Sequence, residues 1–186
     1  MLIRRVWVTL GVMVLVVTLM RLELYTVQRP GDQPLPLRLI PVSRREAASF
    51  DVVLPCVPIG TRRLASGSGV MLVHDWAPWQ RDGASQAARL DSLVHLPRFA
   101  GLEGVIVCSD PFPSVARYVA RRRIKIPVLL DGPGRLKQRL PCPSIPFTYV
   151  LDSMGRIAVR QPGQVDWESP DTGATLDTLL LESPGD

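Results

Sequence analysis

Three cysteines, two histidines and the carboxylates around them are the side chains of this sequence that could move electrons, protons or metal ions. The cysteines stand at positions 56, 108 and 142, and an odd count leaves at least one thiol free. Cys108 closes an apolar run and reads as a small packed core thiol. Three readings of Cys142 stand side by side: a redox role, a structural Cys56–Cys142 disulfide, or an inert packed thiol. His74 and Asp75 are neighbours at the end of another apolar run. A buried aspartate beside a histidine forms an acid-base couple when apolar surroundings and mutual charge shift both groups. The plainer reading is a hydrogen-bonded polar pair at a strand end. A metal or cofactor is not expected: His74 and His95 are the only histidines, and no cysteine lies at ligand spacing from either.

The elements that must position these groups follow from hydrophobic period. Short apolar or β-rich runs predict strands at 50–54, 61–64, 70–74, 105–108, 126–130, 147–151 and 157–160. A helix is expected over 84–95, where Ala87, Leu90, Leu93 and Val94 share a face and Pro97 forbids continuation. A second starts near Ser114, with Val115, Tyr118 and Val119 inward and Arg117, Arg121 and Arg122 outward. A third opens on a Ser169 cap with Pro170 in its first position and turns Leu176, Leu179 and Leu180 inward. Strands alternating with helices imply parallel crossovers in an α/β sheet. Asp152, Ser153, Met154 and Gly155 supply turn chemistry between the last two strands.

Before this domain lie two segments of different character. Arg4 and Arg5 precede the uninterrupted run from Val6 to Met20, which reads as a membrane-targeting segment. Its fifteen positions cover roughly 22 Å as a helix, short of a hydrocarbon core of about 30 Å. With Arg21 snorkelling and Trp7 and Tyr25 at opposite interfaces, residues 1–25 reach across as an uncleaved anchor, since no small-x-small cleavage pair follows the run. The basic N-terminus then stays in the cytoplasm and the domain lies beyond the inner membrane, in the periplasm or its equivalent. Residues 26–48 carry Pro30, Pro34, Pro36 and Pro41 and are expected to be an extended linker; 49–182 form the domain and 183–186 a tail. The net charge of +5 permits nucleic-acid or anionic-membrane contact, yet no finger spacing, RNA-binding aromatic signature or phosphate loop accompanies it, so no nucleic-acid partner is expected.

The order of elements and a set of local motifs resemble the TlpA-like branch of the thioredoxin superfamily, membrane-anchored periplasmic thiol-disulfide proteins that include cytochrome c maturation factors. The resemblance runs from about Phe50 to Leu181. Phe50, Leu54, Pro55 and Gly60 are similar to the family's opening hairpin, and Gly69 to Val73 to the strand leading to its active site. Trp76-Ala77-Pro78-Trp79 resembles the W-A-x-W before the family's Cys-x-x-Cys. Ser144-Ile145-Pro146-Phe147-Thr148 resembles the loop bearing its cis-proline, Asp152 and Gly155 its hairpin turn, and Gly163, Asp166 and Trp167 its tail. The resemblance implies a thioredoxin-like α/β fold, a central mixed sheet flanked by helices, and a cis Ile145–Pro146 bond. The departure is at the redox pair: Gln80-Arg81-Asp82-Gly83 stands where the family has Cys-x-x-Cys. Disulfide exchange needs an attacking thiolate and a resolving thiol, and neither Gln80 nor Gly83 supplies one.

What the resemblance then implies is a degenerate member that keeps a peptide-facing groove built from Trp76, Pro78, Trp79, Gln80, Arg81, Ile145, Pro146 and Phe147, with Trp76 packed and Trp79 forming an exposed apolar ridge. Such a chain is a membrane-tethered binding, assembly or structural subunit rather than an enzyme; the alternative is an atypical oxidoreductase using Cys142 with or without Cys56. The basic set Arg117, Arg121, Arg122 and Arg123 is either a solvated helix end favoured by the dipole or a contact surface for an acidic partner or lipid headgroups.

Overall fold

A computed structural model of the chain describes residues 33–80 and 83–182. Its centre is β3 (Val70–Asp75), six consecutive buried residues. A strand covered on both faces is a continuous apolar run rather than an alternating one. β3 pairs in parallel with β4 (Leu102–Cys108) and antiparallel with β6 (Phe147–Leu151). The crossover from β3 to β4 runs through helix α1 (Gly83–Val94), and that from β4 to the parallel β5 (Val128–Leu130) through α2 (Phe112–Arg122). An opening hairpin, β1 (Asp51–Val57) and β2 (Thr61–Ala65), joins β5 through Cys56↔Leu129 and Val57↔Val128. β7 (Ile157–Pro162) pairs with β6, and α3 (Pro170–Leu181) closes the domain. The sheet order is β2-β1-β5-β4-β3-β6-β7. This is the thioredoxin-like mixed α/β fold expected.

Strand alternation divides the core in two. Leu72, Ile106, Cys108, Val128 and Val150 face the three helices, where Leu90, Leu93, Val115, Val119, Leu176 and Leu179 meet them. Met71, Val73, Val105, Val107, Leu129 and Tyr149 face the other way, onto Leu136 and Leu140 of the turn-rich segment 131–146. At Gly104 a Cβ would stand 2.7 Å from Val94 Cγ1, so the end of α1 lies against β4 only because that position is glycine.

The elements depart from expectation mainly at their ends. α2 begins at Phe112, two residues early, with Pro113 in the first turn where its missing N–H is no loss. β1 runs on to Val57, past the expected end, because β5 supplies partners for Cys56 and Val57. Ser169 caps α3 as expected, its Oγ accepting from the Asp171 N–H at 3.3 Å. Ile145–Pro146 is cis, as the resemblance implies; Val57–Pro58 is cis as well, which nothing in the sequence singled out.

The larger difference concerns residues 34–48, read from their prolines as spacer. They lie along the domain. Leu35 bridges Val165, the Ile40 N–H donates to the Ala158 carbonyl at 2.8 Å, and Glu46 and Ala48 bond Ile157 and Gly155. Leu37 and Ala48 are buried. A proline-rich strand lacks donors, yet its remaining amides and carbonyls cover the outer edge of β7 and leave less of that edge open. Arg45 locks the arrangement: its side chain is 1% exposed, bonds Asp152 Oδ2 at 3.1 Å and the Ile40 carbonyl at 3.0 Å, and forks onto the Glu182 carboxylate. Residues 1–32 and 183–186, and with them the expected anchor and tail, lie outside the described residues. Among the described residues no helix is long and apolar enough to cross a membrane.

Burial alone would raise the Asp152 carboxyl, but the Arg156 N–H and the guanidinia of Arg45 and Arg156 outweigh it and hold the group below its ordinary range. A depressed carboxylate stabilises the fold above its unfolded pKa, and that contribution is lost as pH falls through the folded value. Arg45→Met is therefore expected to lower the unfolding free energy of the full chain by about 3 kcal/mol at neutral pH. In urea titrations the deficit should shrink below about pH 4, where protonation removes the same attraction from the wild type.

Candidate functional site

The loop between β3 and α1 is the place where the sequence departs from the chemistry of its resemblance. Trp76 leaves β3 with its N–H on the Val107 carbonyl at 2.9 Å and its ring buried against Tyr118, centroids 4.6 Å apart. Its indole N–H donates to the Gly83 carbonyl at 2.8 Å. Two backbone bonds join described residues here, from the Gln80 N–H to the Ala77 carbonyl at 3.2 Å and from the Gly83 N–H to the Gln80 carbonyl at 3.0 Å. A Cβ at Gly83 would stand 2.8 Å from Trp76 Nε1, 3.0 Å from the Ala77 oxygen and 3.2 Å from Gln80 Cβ. A Cβ at position 83, where the resemblance implies a resolving cysteine, thus could not be added without displacing Trp76 or the backbone at Ala77. Trp79, by contrast, stands 71% exposed, with its indole N–H on Asp110 Oδ1 at 3.2 Å.

On the opposite face of β3, Asp75 is buried beneath the segment 131–146. That segment is wound around Asp131, whose carboxylate accepts from the N–H groups of Arg135, Leu136 and Lys137 at 2.7, 3.0 and 3.1 Å. Tyr149 Oη donates to the Pro141 carbonyl at 2.7 Å and fixes the far end. Burial pushes the Asp75 carboxyl up to about 7, with Asp131 adding to the rise and Lys137 and the Cys142 thiol opposing it. Burial and the neighbouring Asp75 push Cys142 up to about 11. Its Sγ donates to the Ser144 carbonyl at 3.1 Å. A thiol of that pKa is about one part in ten thousand thiolate at neutral pH, which leaves it a poor nucleophile.

Adjacent strand residues point to opposite faces, so His74 and Asp75 form no couple of either kind. This corrects both readings of the pair. His74 turns to the helix face, where Nδ1 meets Thr148 Oγ1 at 3.0 Å and the ring stands edge-on to Trp167, centroids 5.4 Å apart. Burial pulls it down to about 4, so the ring is neutral at physiological pH. Cys56 and Cys142 are both free thiols in the structure, Cys56 directed at the Val57 carbonyl at 3.7 Å. Cys108 lies on the helix face as a core thiol, pushed up to about 12 by burial.

Of the residues assigned to the groove, Trp76 and Phe147 are 1% and 4% exposed and Pro146 is buried, so these three belong to the core and not to a contact surface. The Phe147 ring turns inward onto Tyr149, centroids 5.0 Å apart. Pro78, Gln80 and Ile145 are half-buried, Trp79 is exposed, and Arg81 lies outside the described residues. The sequence reading missed Gly83 as a steric constraint and Lys137, Asp131 and Tyr149 as neighbours of Asp75 and Cys142. Strict period-two alternation from Val70 would have separated His74 from Asp75; nothing local signalled the others.

No family model matches the chain, and no curated protein matches it. Solved structures do. The chain is similar to a putative thiol:disulfide interchange protein DsbE from Chlorobium tepidum, at 16% identity and TM-score 0.65, over 73% of this chain and 97% of that one. A putative thioredoxin from Neisseria meningitidis matches at 19% identity and TM-score 0.65, over 76% of this chain and 95% of that one. A DsbF homologue from Corynebacterium diphtheriae matches at 19% identity and TM-score 0.64, over 82% and 97%. At these identities the likeness is one of fold: thioredoxin-like.

The raised Asp75 carboxyl makes a prediction with a definite sign. A carboxyl whose folded pKa lies above its unfolded one costs stability as pH rises from the unfolded to the folded value. Asp75→Asn should match the wild type below about pH 4, gain progressively to about pH 7 and then level off, by up to about 4 kcal/mol. Denaturation of both proteins across that range checks the shape as well as the size.

Proposed function

We propose that this chain is a membrane-tethered, extracytoplasmic thioredoxin-fold protein that acts by binding, as an assembly factor or structural subunit of an envelope membrane complex, and does not exchange disulfides through its β3–α1 loop. The observation that carries this reading is Gly83. Thiol-disulfide chemistry on this fold needs two sulfurs at the start of the helix, whereas the chain has Gln80 at the first position and, at the second, backbone packed so closely against Trp76 that even a methyl group would collide. The exposed Trp79 beside half-buried Pro78 and Ile145 supplies an aromatic contact of the kind that anchors protein partners. The tether rests on Arg4, Arg5 and the apolar run behind them. Names of the structural neighbours speak of thiol-disulfide interchange, and the fold they share can host binding as readily as chemistry.

One observation favours the second reading, an oxidoreductase built on Cys142: Asp75, a proton acceptor when ionised, lies near enough to the thiol to act on its pKa. The same carboxylate and the burial around it hold the thiol up at about 11, which suppresses the thiolate such a reaction needs. The full chain in non-ionic detergent is expected to reduce insulin disulfides at the background rate with dithiothreitol, and Cys142→Ser is expected to change nothing. Turnover lost on Cys142→Ser would establish the second reading instead. The tether is checked in parallel by alkaline extraction of membranes, from which the chain should not be released.

A further inference from the structure

Helix α2 buries Val115 and Val119 and turns Arg117, Arg121 and Arg122 outward, with Arg123 at its C-cap. None of the four makes an ion pair among the described residues; Arg117 spends one N–H on the Pro113 carbonyl of its own first turn, at 3.1 Å. Elsewhere Arg62 pairs with Glu103 at 2.8 Å and Arg160 with Glu46 at 3.1 Å, whereas Arg38, Arg44, Arg135 and Arg139 are exposed without an ion pair among the described residues but are not gathered on one helix. Like charges at i and i+4 work against the helix, and its C-terminal dipole repays only the last turn. Beside the arginines the surface is concave: a cleft of about 380 Å³ is lined by Pro78, Ser114, Arg117, Tyr118, Arg121 and Arg122. The residue after Pro78 is the exposed Trp79, and Phe112, also exposed, opens the helix.

We infer that this cleft is a docking site for an acidic segment of a partner polypeptide, a carboxylate seated between Arg117 and Arg121 and a nearby apolar side chain lying on Trp79. The inference rests on the binding function proposed above and names the chemistry of its partner. Guanidinium forks one turn apart suit a planar carboxylate, which accepts two parallel N–H bonds. A concave wall carrying one aromatic suits a side chain entering it. A bilayer suits the surface less well, because no large apolar side chain stands among Arg121, Arg122 and Arg123 to insert.

The test uses the full chain in non-ionic detergent and a short fluorescent peptide of glutamates around one phenylalanine. The peptide should bind, more weakly as salt rises, and Arg117→Glu with Arg121→Glu should weaken it at least about tenfold. Paired Arg→Lys changes should fall between, since the charge remains and the fork does not. Trp79→Ala should weaken binding several-fold, and melting curves of all variants should overlay that of the wild type. Failure of the wild type to bind, or binding indifferent to both arginines in the Glu and in the paired Gln variants, overturns the inference. So does arginine-dependent binding to phosphatidylglycerol vesicles without binding of the peptide. Insulin turnover alongside arginine-dependent capture would remove the functional reading and leave the docking site standing.

Discussion

The indole N–H of Trp76 donates to the carbonyl of Gly83, and through that bond the end of the central strand is tied to the start of the first helix. Tyr118 packs on the same indole, so α2 is registered against the contact as well. A buried indole needs a partner for its N–H, and the Gly83 carbonyl supplies it, with Gln80 bonded to Ala77 and Gly83 to Gln80 through their backbones. Any side chain at Gly83 would push the two apart. One packing constraint therefore positions β3, α1 and α2 and at the same time empties the place where a helix-start thiol would sit.

The polar groups left on β3 are dealt with separately on each face. His74 is kept neutral among the helices, with Thr148 as partner and Trp167 against its ring. Asp75 is buried under the segment 131–146, where Lys137 and Cys142 offset part of the cost of its charge. The carboxyl raises the thiol's pKa while the thiol lowers the carboxyl's, an arrangement that quiets the cysteine rather than arming it. Outside this core the described surface carries the exposed Trp79 and the arginines of α2.

Much of this was legible in the sequence because the signals were local. Val70 to His74 could be read as a central strand from its unbroken apolar character, α1 from the spacing of Ala87, Leu90 and Leu93, and α3 from Ser169 and Pro170. The segment 34–48 was misread because composition reports what prolines do in isolation, whereas Leu37, Arg45 and Ala48 find partners more than a hundred residues away. Depth was the other blind spot. Trp76, Pro146 and Phe147 sit in motifs that suggest a groove, but whether an aromatic lines a surface or fills a core depends on what the rest of the chain lays over it, here Tyr118 and Tyr149.

The unfolding free energy of Gly83→Ala tests the close packing at Gly83 most directly. Near the start of an ordinary helix, alanine in place of glycine is neutral or stabilising by about 0.5 to 1 kcal/mol. With Trp76 Nε1 placed 2.8 Å from the new Cβ, the substitution should instead destabilise the protein by about 1 to 3 kcal/mol. A Gly83→Ala protein as stable as the wild type, or more so, would show that the site has room for a side chain and would contradict the claim that its backbone has closed.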